Sequence, residues 1–272
     1  ARGHWLMPDS FCPPSNSFDQ TRAVEERYGA AAHEQEACLC TPVGFDPGLL
    51  RVIPKAVVER DYGCGDPTRW VRSGDRVLDL GSGSGKNAFI CSQIVGADGG
   101  VIGVDRNVDM LALSRGAAAQ VADAIGYANV QFVDGSIEAL DALTSDGTPL
   151  VADASVDVVL SNCVLNLVNP SDRERLLANI RRVLAPGGRV AISDIVCDQV
   201  VPQHLQEDPD LWSGCISGAW EEASFLEAFR RLGFEQVHYT DRSVDPWRKL
   251  EGIEFRAVTL VGDLPGSSGC CA

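Results

Sequence analysis

Apolar positions along the chain change their period several times, and the changes divide it into elements. From residue 75, "DRVLDLG" is a short apolar run of strand type, and "GSGSGKNAFICSQIVG" is a glycine-rich turn entering a helix. "VIGVD" is a second strand, followed by "NVDMLALSRGAAAQVADAIG", a helix with an apolar stripe. "NVQFVDG" is a third strand and "EALDAL" a short helix; "VDVVLSNCV" is a fourth strand. "SDRERLLANIRRVLAPGG" is a helix ended by a Pro-Gly-Gly turn, and "RVAISDIV" is a fifth strand. "EEASFLEAFRRLGF" gives one more helix, after which "EQVHYT" and "FRAVTLVG" close the sheet. Strands alternating with helices predict an α/β fold, a parallel, doubly wound sheet covered on both faces. Upstream, "QTRAVEERYGAAAHEQEA" has helical spacing through Val24, Tyr28 and Ala32 in a weakly patterned stretch. The expected organisation is an N-terminal extension over 1–65, the α/β domain over 66–262, and a flexible tail over 263–272.

In such sheets ligands bind beyond the carboxyl ends of the strands, near the point where strand order reverses. After the first strand comes "DLGSGSG", Asp79 to Gly85, with G-x-G-x-G spacing and not the G-x-G-x-x-G of a dinucleotide site. Its glycines permit close backbone approach to a ligand, or serve only a tight turn. Asp79 puts a carboxylate beside that turn, which repels a pyrophosphate and suits a cation. Asp105 ends the second strand, where a carboxylate accepts the two hydroxyls of a ribose. After the third strand, Asp134 of "DGS" is placed to accept from an adenine amino group, although Asp-Gly is also an ordinary turn.

Charge narrows the ligand. The formal net charge is -15, which excludes an electrostatic footprint for nucleic acid or an anionic membrane. A small neutral or cationic ligand fits better. No stretch has a signal-peptide core or membrane-spanning length, so a cytoplasmic protein is expected. The first residue is Ala, so a start that is missing or processed is expected.

The chain has 10 cysteines, and stable disulfides are uncommon in the cytosol, so metal or redox chemistry needs consideration. Cys91 and Cys197 sit in apolar surroundings as packing residues. Cys163 stands where the chain leaves the fourth strand, as a methyl acceptor, a ligand or a packing residue. Cys215 of "WSGCISGAW" follows the fifth strand, and Cys64 of "RDYGCGDP" precedes the domain. Their glycine neighbours predict accessible, mobile thiols. His4, His33, His204 and His238 show no obvious His-carboxylate pairing in the sequence and read as surface or packing residues.

Taken together, Asp79, Asp105, Asp134 and the glycine turn resemble the motifs of class I S-adenosylmethionine-dependent methyltransferases. "VLAPGGRVAISD" matches that family's helix, turn and fifth strand, and the resemblance spans 75–262. It implies a Rossmann-like sheet of seven strands, the last antiparallel, behind an N-terminal helical extension. It implies S-adenosylmethionine as cofactor, its sulfonium suited to carboxylates. Asp79, Gly81, Ser82, Gly83, Gly85 and Asp105 would hold it, with Arg106, Met110, Asp134, Gly135, Ser136 and Asn162. The donor methyl of this fold lies beside the end of strand four, hence beside Cys163.

"VEERYG", "YGCG", "DLGSGSG", "SNCVLNLV" and "WSGCISGA", in that order, resemble arsenite methyltransferases specifically. By this resemblance Cys163 and Cys215 bind trivalent arsenic, and Cys64 with Cys38 or Cys40 of "ACLC" supplies further thiols. Tyr28 and Gly29 belong to a segment covering the cofactor. Methylation oxidises arsenic to the pentavalent state. Cys64 and its N-terminal partner then reduce it by forming a disulfide, recycled by a thioredoxin- or glutathione-type reductant. The family usually continues into a C-terminal domain, whereas this chain ends in "GSSGCCA". There Cys270 and Cys271 either bind or hand over arsenic, or form a dispensable tail. Two rival readings remain: a class I methyltransferase for a small organic acceptor, and a thiol-rich metalloid-binding protein without turnover. The three aspartates weigh against the second, because sequestration needs no cofactor pocket.

Overall fold

The computed structural model describes residues 19–34, 36 and 44–266. His4, Cys12, Cys38, Cys40, Cys270 and Cys271 lie outside them. The strands are β1 Arg76–Leu80, β2 Gly100–Asp105, β3 Val130–Asp134, β4 Val156–Asn162, β5 Leu184–Cys197, β6 Trp220–Glu221, β7 Glu235–Arg242, β8 Arg248–Leu250 and β9 Ile253–Asp263. Successive side chains along a strand face opposite sides, and β1 and β4 are apolar on both. Val77, Val158 and Leu160 pack under the helices Lys86–Val95 and Val108–Ile125. Leu78, Leu80 and Val159 join Ile180 and Phe225 of the helices Arg173–Val183 and Glu222–Arg231 on the other side. A sheet apolar on both faces must be covered on both, which selects the doubly wound arrangement.

The sheet runs β3-β2-β1-β4-β5-β9-β7, with β6 beside β5 and β8 beside β9. β1 to β5 pair in parallel, and β9 is antiparallel to both β5 and β7. The seven expected strands are all present with the last one reversed, and the structure adds two short ones. Strand order reverses between β1 and β4, so the crevice at their carboxyl ends is the switch point.

Four local expectations need correction. "EALDAL" is no α-helix; only Ile137–Ala139 forms a single 3-10 turn before the chain loops back through a Leu143–Pro149 bridge. "LAPGG" is not a turn outside the sheet, because β5 already begins at Leu184. Leu184 pairs with Val156 and Arg189 with Val158, so the residues between them bulge out of register. The N-terminal helix covers Gln20–His33 and ends at Glu34, whose extended backbone stops the expected continuation to residue 37. β4 ends at Asn162, one residue before Cys163, whose φ of 63° takes the chain out of the sheet.

No helix among the described residues is long and apolar enough to cross a membrane.

Candidate active site

The switch point opens into a cavity of about 1090 Å³ including its mouth. Gly81, Ser82 and Gly83 form one border, with φ of 65° at Gly81 and 50° at Gly83. The amides of Gly81 and Ser82 donate to the Val104 carbonyl at 2.8 and 3.0 Å, folding the turn back on β2. Asp105 fixes the next step, because one carboxylate oxygen accepts from the Gly83 amide at 2.8 Å and the other from the Asn107 amide at 2.8 Å. Burial raises the pKa of Asp105 although these N–H groups favour its charge. Met110 and Ile137 supply buried apolar wall, and Oδ1 of Asn87 and Oγ of Ser82 line the same space without a hydrogen-bond partner.

This set fits S-adenosylmethionine: a carboxylate for ribose hydroxyls, apolar side chains for a purine, and uncommitted polar atoms for an amino-acid end. Asp105→Ala removes a charged acceptor and loosens the turn, so S-adenosylhomocysteine affinity should fall roughly 10- to 100-fold by calorimetry. Unchanged affinity would contradict that role.

Several residues singled out in the sequence lie elsewhere. Asp79 is 1% exposed and lies outside the cavity lining, with Oδ2 unpartnered. Burial, then the Asp61 and Asp105 carboxylates, push its pKa well up. The carboxylate that does line the cavity there is Asp61, paired with the buried Lys86 ammonium. Gly85 packs the helix start against the sheet: a Cβ there would meet the Phe132 ring at 2.8 Å and the Ser114 Cβ at 3.0 Å. Asp134, Ser136 and Gly29 do not line the cavity, whereas Gly135, Arg106 and the half-buried Tyr28 do.

The same cavity reaches Cys163. Ligand atoms of Cys64, Cys163 and Asp194 lie within 4.8 Å of one another. Cys215 Sγ donates to the Cys163 carbonyl at 3.0 Å, and the Tyr28 hydroxyl lies 3.9 Å from that sulfur. Cys163 and Cys215 both adopt left-handed backbone, φ 63° and 61°. That conformation is uncommon outside glycine and costs about 1 kcal/mol or more per residue, so the surrounding contacts must enforce it.

The expectation of accessible, mobile thiols is corrected. Cys64, Cys163 and Cys215 are 7%, 8% and 3% exposed, and all are free thiols. The glycines beside Cys64 serve close approach. A Cβ on Gly63 would overlap the Asn162 amide, and one on Gly65 would meet Ser193 Oγ at 2.5 Å.

Burial leads the rise in the Cys64 pKa. At Cys163 the neighbouring Cys215 thiol favours thiolate, but the Cys64 thiol, burial and the Asp194 carboxylate outweigh that, leaving it well above its ordinary value. Cys215 is raised by the Cys163 thiol beside it and by burial. The resting cluster therefore holds protonated thiols.

Two asparagines assemble it. Asn162 Oδ1 accepts from the Cys64 amide at 2.8 Å and the Gly65 amide at 3.2 Å, while its Nδ2 donates to the Gly65 carbonyl at 2.8 Å. Asn166, fully buried, donates to the carbonyls of Ile195 at 2.7 Å and Cys215 at 3.1 Å. Asn162 thus clamps the Cys64 loop and Asn166 the Cys215 loop, one on each side of Cys163. Sequence reading placed Asn162 at the cofactor and missed Asn166. Two amides flanking the cysteine in "NCVLN" were the available signal. Asp194 was also missed; its buried carboxyl is pushed up to about 7 by desolvation, against backbone N–H groups that favour its charge. Cys91 and Cys197 pack in the apolar clusters.

A glycine turn at a switch point, a carboxylate ending β2, and a reversed last strand define a class I methyltransferase. A profile described as "Methyltransferase domain" matches residues 71–243. An arsenite methyltransferase of Aquipseudomonas alcaligenes is 39% identical over 193 residues, 71% of this chain and 53% of the relative. One from Halobacterium salinarum is 38% identical over 211 residues, 77% of this chain and 50% of the relative. The crystal structure of CrArsM, an arsenic (III) S-adenosylmethionine methyltransferase from Chlamydomonas reinhardtii, matches with a TM-score of 0.72 at 32% identity, covering 83% of this chain and 76% of that one. The chain belongs to the arsenic(III) methyltransferase family, and it spans about half the length of the curated relatives it matches.

Proposed function

We propose that this chain methylates trivalent arsenic held by Cys163, Cys215 and Cys64. One observation carries the reading: Cys163 lines the cavity that fits S-adenosylmethionine, its Sγ lies within 4.8 Å of that of Cys64, and its carbonyl accepts from the Cys215 thiol. Soft thiolates select a thiophilic centre such as arsenic(III). Each ligation exchanges one arsenic hydroxyl for one sulfur, and the S–H proton leaves with that hydroxyl as water. Raised thiol pKa values are therefore compatible with binding, and no histidine is needed as base. S-adenosylmethionine supplies an electrophilic methyl carbon, and sulfur ligation leaves the arsenic lone pair free to take it. The protein's own contribution is positioning, because the clamped thiols hold the metalloid beside the cavity that Cys163 lines. Reduction of the pentavalent product then falls to Cys64 with Cys38 or Cys40, and to a thioredoxin- or glutathione-type reductant in the cytoplasm.

The test is incubation with labelled cofactor, arsenite and thiol, followed by arsenic speciation; labelled methylarsenical is expected, and its absence defeats the reading. Arsenite offers three exchangeable hydroxyls but methylarsenite only two. Cys64→Ser should therefore lower turnover of arsenite on the order of tenfold or more and leave methylarsenite methylation within about threefold, since ligand loss exceeds the cost of losing an outer partner.

A further inference from the structure

The helix Gln20–His33 touches both halves of the site. Thr21, Val24, Glu25 and Tyr28 line the cofactor cavity. On that side the helix is latched to cavity loops. Glu25 pairs with Arg106 at 2.9 Å, and Asn107 donates to the Glu25 carbonyl at 3.2 Å. The Tyr62 hydroxyl donates to the Ala31 carbonyl at 2.9 Å. On the other side Arg27 lies outside the cavity and reaches the segment that presents Cys215. Its Nη1 donates to the Asp210 carbonyl at 2.9 Å and to Ser213 Oγ at 3.0 Å. Its remaining nitrogens fork onto the Glu36 carboxylate, which keeps the guanidinium oriented. Asp210 and Ser213 belong to the helix Pro209–Ser213, which ends two residues before Cys215. The Asp210 carbonyl also accepts from the Gly214 amide at 3.0 Å, so Arg27 bonds the turn that aims the Cys215 backbone.

We propose that Arg27 is a positioning residue that couples the two half-sites, so that filling the cofactor cavity settles Cys215 for the arsenical. The inference rests on the three-thiol reading above and extends it. One helix forms wall for one ligand and brace for the other's sulfur. A ligand that orders this helix spends part of its binding free energy fixing Asp210, Ser213 and Cys215. The second ligand then finds its thiol already placed. Such coupling is reciprocal, and typical values correspond to roughly 5- to 150-fold in affinity. Arg27 suits this role better than Lys would, because its planar fork bonds a carbonyl, a hydroxyl and a carboxylate at once.

The experiment measures a thermodynamic cycle on the full chain. Phenylarsine oxide is titrated with and without saturating S-adenosylhomocysteine, using tryptophan fluorescence, since Trp212 is fully buried three residues from Cys215. In the unaltered protein S-adenosylhomocysteine should tighten arsenical binding roughly tenfold. In Arg27→Met the ratio should fall to about one, with unassisted phenylarsine oxide affinity kept within about threefold. Ser213→Ala, which leaves the helix Gln20–His33 intact, should lower the ratio partway. A merely structural role for Arg27 would shift both affinities and leave their ratio unchanged. A ratio of one in the unaltered protein, or an undiminished ratio in Arg27→Met, overturns the proposal. Failure of the unaltered protein to bind phenylarsine oxide at all instead defeats the three-thiol site itself.

Discussion

Serine in place of Cys163 should lower arsenite turnover on the order of a hundredfold or more. Losing even an outer partner of a metal ligand typically costs ten- to hundredfold, and Cys163 is the middle member of the cluster, its thiol within 4.8 Å of that of Cys64 and its carbonyl bonded by Cys215 Sγ at 3.0 Å. Serine is slightly smaller but keeps the shape and a hydrogen-bonding group, so the change tests sulfur more than shape. A hard hydroxyl oxygen has little to offer a soft centre. Cofactor affinity should stay within about twofold, because Asp105, Met110 and the Gly81–Gly83 turn are untouched. Cys163→Gly provides the second arm. It relieves a left-handed backbone, φ 63°, so its stability should hold or rise while turnover is lost. Calorimetry with S-adenosylhomocysteine and labelled-methyl turnover separate these effects. Full turnover in the serine variant would remove Cys163 from the reaction.

Gly218→Ala should be the most damaging single methyl that the thiol segment can receive. A Cβ there would overlap the backbone carbonyl of Asn166 and meet Trp212 at 3.3 Å. Neither neighbour has room to yield. Asn166 is fully buried with its amide committed to Ile195 and Cys215, and Trp212 is fully buried. Arg173 also donates to the Gly218 carbonyl at 2.6 Å while lying over the Trp220 ring at 4.5 Å, so the backbone is held from outside as well. Overpacking of this kind costs about 1–3 kcal/mol, occasionally more, and lowers the melting temperature by several degrees in a chain of this size. Part of the strain is relieved by shifting Cys215, so arsenite affinity should fall with stability. Gly116→Ala is the control. Gly116 sits in the helix Val108–Ile125 with nothing within 4 Å of its Cβ position, and alanine there should be neutral or stabilising by up to about 1 kcal/mol. Equal melting temperatures for the two variants would refute the packing argument.

The elements that position the site were legible because their signals are local. Both-face burial made β1, β4 and β5 rich in apolar residues, and the stripe of Val108–Ile125 repeats within one helix. The misreadings occurred where a tertiary neighbour decides. "LAPGG" carries strong turn chemistry, yet Leu184 still finds Val156 and the bulge is absorbed into β5. Glycines beside Cys64 suggested freedom, but in the fold they allow Asn162 and Ser193 to press against the loop. Asp79 reads as a ligand group from its motif, whereas in the fold it is buried outside the cavity lining and Asp61 borders the cavity.

By itself the sequence determined the strand and helix types, the glycine turn, the Asp105 position and the cysteines worth inspecting, because periodicity and spacing record which face of each element is covered. The tertiary structure alone decided that Cys64, Cys163 and Cys215 meet, that Asn162 and Asn166 hold them, and that Arg27 bridges to the cofactor side. Those residues are far apart along the chain, and they converge only because strand order reverses between β1 and β4 and loops from both halves must fill the crevice this leaves.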